Sequence, residues 1–244
     1  MKFIVIRKRS KRKSTPLKFH KGYILPVLAA VTAALTLIAL VTSSTKEEEN
    51  AVRGKYEPLM REEIEYALSV DPPEDEGRKA LVDAAVSLIG EVHYFWGGKS
   101  LLNGADPEWG VLKEVKSSGS RTTGTMRPFG LDCSGFVLWS FIQLGYSPDE
   151  AEALVGLGTW AQWQRSYDIA WEELRPGDLA FENRYPEKSD NHVGICIGYD
   201  ENGQPVFVHS SSKFDGVVAT PAGGVFRYAR RPFLFYAEGE GLSP

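Results

Sequence analysis

The pattern of apolar and polar positions divides the chain into an uninterrupted apolar run, a helical first half and a β-rich second half. Gly22 to Val41 is 20 residues without a charge, rich in Leu, Ala, Val and Ile. As a helix it spans about 30 Å, the thickness of a bilayer's hydrocarbon core, so residues 22–42 read as one transmembrane anchor. From Pro58 to Val70 the residues Met60, Ile64, Ala67 and Leu68 recur at helical spacing between charged neighbours, which predicts a short amphipathic helix. Asp71-Pro72-Pro73-Glu74 breaks it. Residues 43–77 therefore read as a stalk, with the folded domain, 78–240, starting just after. A second helix carries Leu81, Ala84, Ala85, Leu88 and Ile89 on one face and stops at Gly90. Residues 101–130 have no clear period and read as a long inserted loop. Asp132 to Leu144 is a strongly apolar helix, and Ser147-Pro148-Asp149-Glu150 is a capping box that starts another.

Beyond the turn signal Leu174-Arg175-Pro176-Gly177-Asp178, β-branched and aromatic runs dominate. The expected strands are Leu179–Phe181, His192–Tyr199, Pro205–Ser210, Val217–Thr220 and Phe233–Tyr236, with Asp200-Glu201-Asn202-Gly203 closing a hairpin. Helices first and strands second predict an α+β fold with an antiparallel sheet.

Charge adds topology. Residues 1–21 hold nine Lys or Arg and no acid, while residues 46–244 hold 19 basic against 32 acidic groups, a net −13. An acidic folded part argues against nucleic acid as a partner. The basic tail beside an apolar helix places residues 1–21 in the cytoplasm and everything after about residue 45 outside. A cleaved secretory signal is the competing reading, but it usually has an apolar stretch of about 7–15 residues and a small-x-small site. Val41-Thr42-Ser43 is a poor one. Two cysteines exclude a disulfide-stapled scaffold.

The candidate chemistry lies in Leu131-Asp132-Cys133-Ser134-Gly135-Phe136. With Asp132 as N-cap, Cys133 occupies the first turn of an apolar helix. There the free N–H groups and the helix dipole favour thiolate, which predicts a pKa below the free value of roughly 8.5. A thiol nucleophile needs a base held by a third group. His192 begins the strand His192-Val193-Gly194-Ile195-Cys196-Ile197-Gly198, with Gly194 and Gly198 expected to keep its face uncrowded. His209 ends the next run and, if the two runs pair, can orient His192. A Cys133–Cys196 disulfide would consume the nucleophile; Cys196 reads better as a small core residue. A metal on His192, His209 and Cys133 is a weaker reading of the same three side chains. His93 reads as a surface residue, and Trp160, Trp163 and Trp171 as core or rim.

Asp132-Cys133-Ser134-Gly135-Phe136 resembles the D-C-S-G-F nucleophile motif of the NlpC family, papain-like cysteine peptidases of bacterial cell walls. Tyr94-Phe95-Trp96-Gly97-Gly98, Leu174–Leu179, His192-Val193-Gly194-Ile195 and Val208-His209 are similar to that family's other motifs and follow in its order. The resemblance implies a papain-like fold with N-terminal helices packed on the sheet. It implies Cys133 as nucleophile, His192 as general base and His209 as orienting group. Tyr94, Asp132 and Ser134 would be substrate-binding, with no cofactor and no metal. It implies peptidoglycan stem peptides as substrate, cut at the γ-D-glutamyl bond to the diamino acid. About thirty residues between Gly98 and Asp132 exceed the expected spacing, so the insertion is expected to cap the cleft, narrow specificity or hold the enzyme inactive.

Together these readings predict a single-pass, membrane-anchored extracytoplasmic endopeptidase, with a local role beside a transenvelope machine as one setting. An N-acetylmuramoyl-L-alanine amidase, an acyl or amide transferase and an inactive wall-binding module are the alternatives on the same fold.

Overall fold

The computed structural model describes residues 31–32, 34–39, 54–73, 75–188 and 191–236. The chain divides into two compact units, Met1–Lys46 and Glu47–Pro244. In the first unit the described residues are helical, and Val31, Leu35, Leu37 and Ile38 are all exposed. Among the described residues no helix is long and apolar enough to cross a membrane. Most of the expected span 22–42, and all of the basic tail, lie outside the described residues.

The second unit is α+β. Its helices are α1 (Arg61–Val70), α2 (Glu76–Ser87), α3 (Cys133–Ile142), α4 (Pro148–Val155) and α5 (Thr159–Gln164). The strands β1 (Leu112–Glu114) and β2 (Met126–Pro128) form a separate antiparallel pair. The main sheet contains β3 (Ser166–Asp168), β4 (Leu179–Phe181), β5 (Val193–Tyr199), β6 (Pro205–Ser211), β7 (Gly216–Pro221) and β8 (Tyr228–Pro232) in the order β3-β8-β4-β5-β6-β7, antiparallel throughout.

Two clusters sandwich this sheet. On one face Val193, Ile195, Ile197, Val206 and Val208 pack with the helices; on the other Ala180, Cys196, Phe207 and Phe226 form a smaller cluster. Helix α3 is apolar all round, and all ten of its residues are buried, as a central helix must be. Asp132 caps its start, accepting from the Gly135 N–H at 2.7 Å. Ser147 and Glu150 form the expected capping box at α4.

Helix α1 is not a stalk. Ile64 and Ala67 are buried against β5, and the Leu59 N–H donates to the Ala219 carbonyl at 2.9 Å. A buried Ile alone contributes roughly 1.5–3 kcal/mol. The break at Pro72-Pro73 is a turn between two packed helices, and the expected boundary near residue 76 falls inside one unit. The acidic, Pro-rich composition resembled a linker because α1 buries only a narrow stripe.

Three further expectations are corrected. Residues 101–130 contain the β1–β2 hairpin, whose three-residue strands are mostly exposed and so lack a hydrophobic alternation to read. The last strand is Tyr228–Pro232, and Phe233–Phe235 is a 3-10 turn. Arg230 and Arg231 disguised that strand. Arg231 is buried because it pairs with Asp178 at 3.1 Å, and Arg78 approaches the same carboxylate at 2.9 Å. Asp178 also accepts from the Arg175 N–H at 3.0 Å, so the Pro-Gly-Asp turn is locked by a buried, doubly paired carboxylate. Strand β3 was too short and polar to announce itself.

Candidate active site

The helix that carries Cys133 and the sheet are joined at the place where the chemistry is expected. Ser210, next to His209 on β6, donates its hydroxyl to the Leu131 carbonyl at 2.7 Å, just before α3 begins. Leu131 also bridges to Tyr94. The Asp132 N–H donates to the Gly98 carbonyl at 3.1 Å, and a Cβ on Gly135 would lie 2.2 Å from that same oxygen. The glycines of Tyr94–Gly98 and of Asp132–Phe136 are thus one close backbone approach that fixes where α3 starts.

Cys133 lies at that start, only 8% exposed, and its thiol faces the Asn191 carbonyl at 4.0 Å. It opens on a cavity of about 470 Å³, lined also by His192, Tyr94, Trp96, Tyr56 and Lys213. His192 stands at the mouth of β5. Asn191 holds it there: its Oδ1 accepts from the His192 N–H at 2.9 Å, and its Nδ2 donates to the Asn183 carbonyl at 2.7 Å. The His192 carbonyl accepts from the Glu182 N–H at 3.0 Å, extending the β4–β5 ladder by one residue.

His192 Nε2 and His209 Nδ1 are 3.0 Å apart. The hairpin pairing that the Asp200–Gly203 turn implied is present, with Ile195 opposite Val208. His209 is fully buried. Its other nitrogen lies 3.1 Å from Thr220 Oγ1, its ring stacks on Tyr56 at 5.5 Å, and Phe226 meets its edge at 5.2 Å. Phe226 also stacks on His192. The reason for Gly194 is this ring: a Cβ there would sit 2.8 Å from Phe226. Gly198 serves the opposite neighbour, since its Cβ would lie 2.0 Å from the Ala67 carbonyl of α1. Neither glycine simply clears space for His192.

The electrostatics differ from the expectation. Burial pushes the Cys133 thiol up to about 12, aided by the Asp132 carboxylate and opposed by Lys99. Burial also holds His192 down to about 4 and His209 well below its ordinary value. The helix terminus does not outweigh the loss of water around a thiol this enclosed. Burial thus favours a neutral thiol beside neutral imidazoles.

Asp132 and Ser134, expected to touch substrate, do not line the cavity. Asp132 accepts from Lys99 Nζ at 2.6 Å and from the Ser134 hydroxyl at 2.8 Å, so together with the cap its carboxylate is engaged within the protein. Tyr94 does line the cavity. No described residue of 101–130 does; the insertion braces the wall from behind, where Ser118 accepts from the Trp96 indole at 2.8 Å. The insertion therefore does not cap this cleft. Cys196 is a free, buried core residue of β5. His93 is a half-exposed surface residue 3.5 Å from Asp215.

Sequence reasoning missed Tyr56, Lys99, Asn191 and Thr220. Thr220 was within reach of it: on β7 it pairs with Phe207, two residues from His209 on the same face. Tyr56 carried no signal, because only the tertiary path of its segment brings it to the sheet.

Residues 91–228 match the model of the NlpC/P60 family. The chain belongs to that family. The chain is 31% identical over 137 residues to a probable endopeptidase of Mycobacterium tuberculosis and equally to one of Mycobacterium bovis, a match that covers 55% of this chain. It spans about a quarter, 24%, of the length of those curated relatives. Among solved structures it is similar to the peptidoglycan hydrolase RipB of Mycobacterium tuberculosis, with 22% identity, 73% of this chain and 70% of that one covered, and a TM-score of 0.45. It is also similar to RipD of the same organism, described as a non-catalytic NlpC/p60 domain protein adapted to peptidoglycan binding, with 18% identity, 64% and 97% covered, and a TM-score of 0.44. Tyr56 and α1 lie outside the matched residues, so this wall of the cavity is supplied by a segment that the family match does not include.

Proposed function

We propose that this NlpC/P60 protein is a cysteine endopeptidase that hydrolyses peptidoglycan stem peptides, with the γ-D-glutamyl bond to the diamino acid as the leading target. The observation that carries this reading is a thiol at the start of a buried helix and a histidine, His192, that open on one cavity, with His192 hydrogen-bonded to the buried His209 behind it. His192 Nδ1 takes the thiol proton as Cys133 sulfur attacks the scissile carbonyl. The same nitrogen returns the proton to the leaving amine, and water then releases the acyl group from sulfur. N–H groups at the start of α3 are suited to receive the oxyanion.

Anchoring through residues 22–42, with the catalytic unit extracytoplasmic, is part of the proposal. The uncharged run, its basic flank and the exposed apolar side chains at 31–38 support it. Such an enzyme would work on wall close to the membrane, where a transenvelope machine needs an opening. Protease added to intact cells removes the folded unit if this topology holds, and leaves it intact if the unit is cytoplasmic.

The decisive test is mass analysis of muropeptides incubated with the wild type and with Cys133→Ala. Cleavage is expected to vanish in the variant while its melting curve is kept; undiminished turnover rejects the assignment. The products also separate an endopeptidase cut from amidase cleavage next to the sugar and from transpeptidation. The enclosure of Cys133 favours one second reading, a wall-binding module without turnover. Binding to insoluble peptidoglycan with no cleavage, and a thiol inert to iodoacetamide, would select it.

A further inference from the structure

The histidine pair has a direction, and the end remote from the thiol can set it. A neutral imidazole donates through one nitrogen and accepts through the other. His192 Nε2 lies 3.0 Å from His209 Nδ1, and His209 Nε2 lies 3.1 Å from Thr220 Oγ1. Only two proton arrangements satisfy both bonds with neutral rings. In one, His192 Nε2–H donates to His209 Nδ1, His209 Nε2–H donates to Thr220 Oγ1, and His192 Nδ1 is left as an acceptor. In the other, Thr220 donates to His209 Nε2, His209 Nδ1–H donates to His192 Nε2, and the proton of His192 sits on Nδ1. A ring protonated there cannot take the thiol's proton.

We propose that Thr220 is a positioning residue for this site: its hydroxyl oxygen accepts from His209 Nε2–H and so keeps His192 Nδ1 free to act as the base. The inference rests on the assignment of Cys133 and His192 made above. Enclosure makes the hydroxyl hard to replace. His209 and Thr220 are both fully buried, with Tyr56 on one face of the His209 ring and Phe226 at its edge, so water has no ready route to substitute. Without the oxygen, the productive arrangement leaves a buried N–H with no acceptor. The unproductive one leaves only a bare ring nitrogen, and orphaned buried donors are the rarer case in proteins. Removing the hydroxyl therefore tips the pair the wrong way, by about tenfold for one lost buried hydrogen bond.

The test compares Thr220→Val, which keeps the shape, with Thr220→Ser, which keeps the oxygen. Nitrogen-15 spectra of the four histidines, assigned with His→Gln variants, report the tautomers without any substrate. For Thr220→Val the expected result is a shift of His192 towards the Nδ1–H form and a fall in muropeptide kcat of about tenfold with KM unchanged. Thr220→Ser is expected to restore both. A purely structural role would lower the melting temperature and leave the tautomers of the folded protein alone. Wild-type nitrogen signals in folded Thr220→Val overturn the inference. If Thr220→Val does not fold, Thr220→Ala read the same way decides it. If neither wild type nor variant cleaves muropeptides, the proposed hydrolysis fails while the spectra still decide whether Thr220 sets the tautomer.

Discussion

Replacing Asp132 by Asn is expected to move stability and thiol reactivity in opposite directions. The amide keeps an oxygen for the Gly135 N–H, now 2.7 Å from the carboxylate, so the cap of α3 survives. The charge is lost. Lys99, with both carboxylate oxygens at 2.6 Å, then holds a cation without a counterion in a side chain only 25% exposed. Breaking a fully buried pair costs about 3–5 kcal/mol; at this exposure the lysine can turn partly to water, so about 2 kcal/mol is expected. The thiol feels the reverse. The Asp132 carboxylate raises Cys133 and the Lys99 ammonium lowers it, so removing the first uncovers the second. A neighbouring charge screened at this depth is worth roughly 1.4 kcal/mol to a thiolate, which is about one pKa unit and tenfold in thiolate fraction. Two measurements check this: the urea midpoint, and the rate of iodoacetamide alkylation at Cys133 across pH, with mass analysis separating it from buried Cys196. The midpoint should fall while alkylation near pH 8 rises about tenfold. An alkylation rate that stays level or drops in the folded variant would refute the argument that this carboxylate opposes the thiolate.

Stability of the folded unit should fall on both sides of neutrality. His192 and His209 have folded values below their unfolded one, so their contribution is present above about pH 6.5 and is lost as pH falls, that of His192 as pH drops through about 4. Cys133 has a folded value above its unfolded one, so its contribution is complete below about pH 8.5 and is lost as pH rises towards about 12. Urea midpoints that stay flat from pH 4 to 10 would contradict both. Asp178→Ala should cost about 3–5 kcal/mol, because Arg78 and Arg231 would keep buried charges that lose this carboxylate, now at 2.9 and 3.1 Å. A melting temperature close to wild type would show that the two guanidinium groups find other partners.

The amino-acid sequence by itself determined the central helix and the main hairpin and singled out the candidate reacting groups. The apolar run Phe136–Ile142 behind an Asp N-cap could only be a buried helix, and β-branched runs joined by Asp200–Gly203 could only be a hairpin. These follow from periodicity and turn chemistry, which act over a few residues. The histidine pair was legible because a hairpin converts sequence spacing into register. Whatever depends on long-range packing was left to the tertiary structure. The chain before residue 76 looked like a tether because a helix with a narrow buried stripe resembles a solvated one until its partner strand is known. Arg230 and Arg231 concealed a strand because their counterions, Asp168 and Asp178, lie more than fifty residues away in sequence. The ionisation of Cys133 was misjudged for the same reason: the helix terminus is a local effect that favours thiolate, whereas enclosure by Asn191 and the cavity walls is a tertiary one that opposes it. Desolvation of a charge exceeds the pull of a partial dipole, so where the thiol sits in the packed domain decides its state.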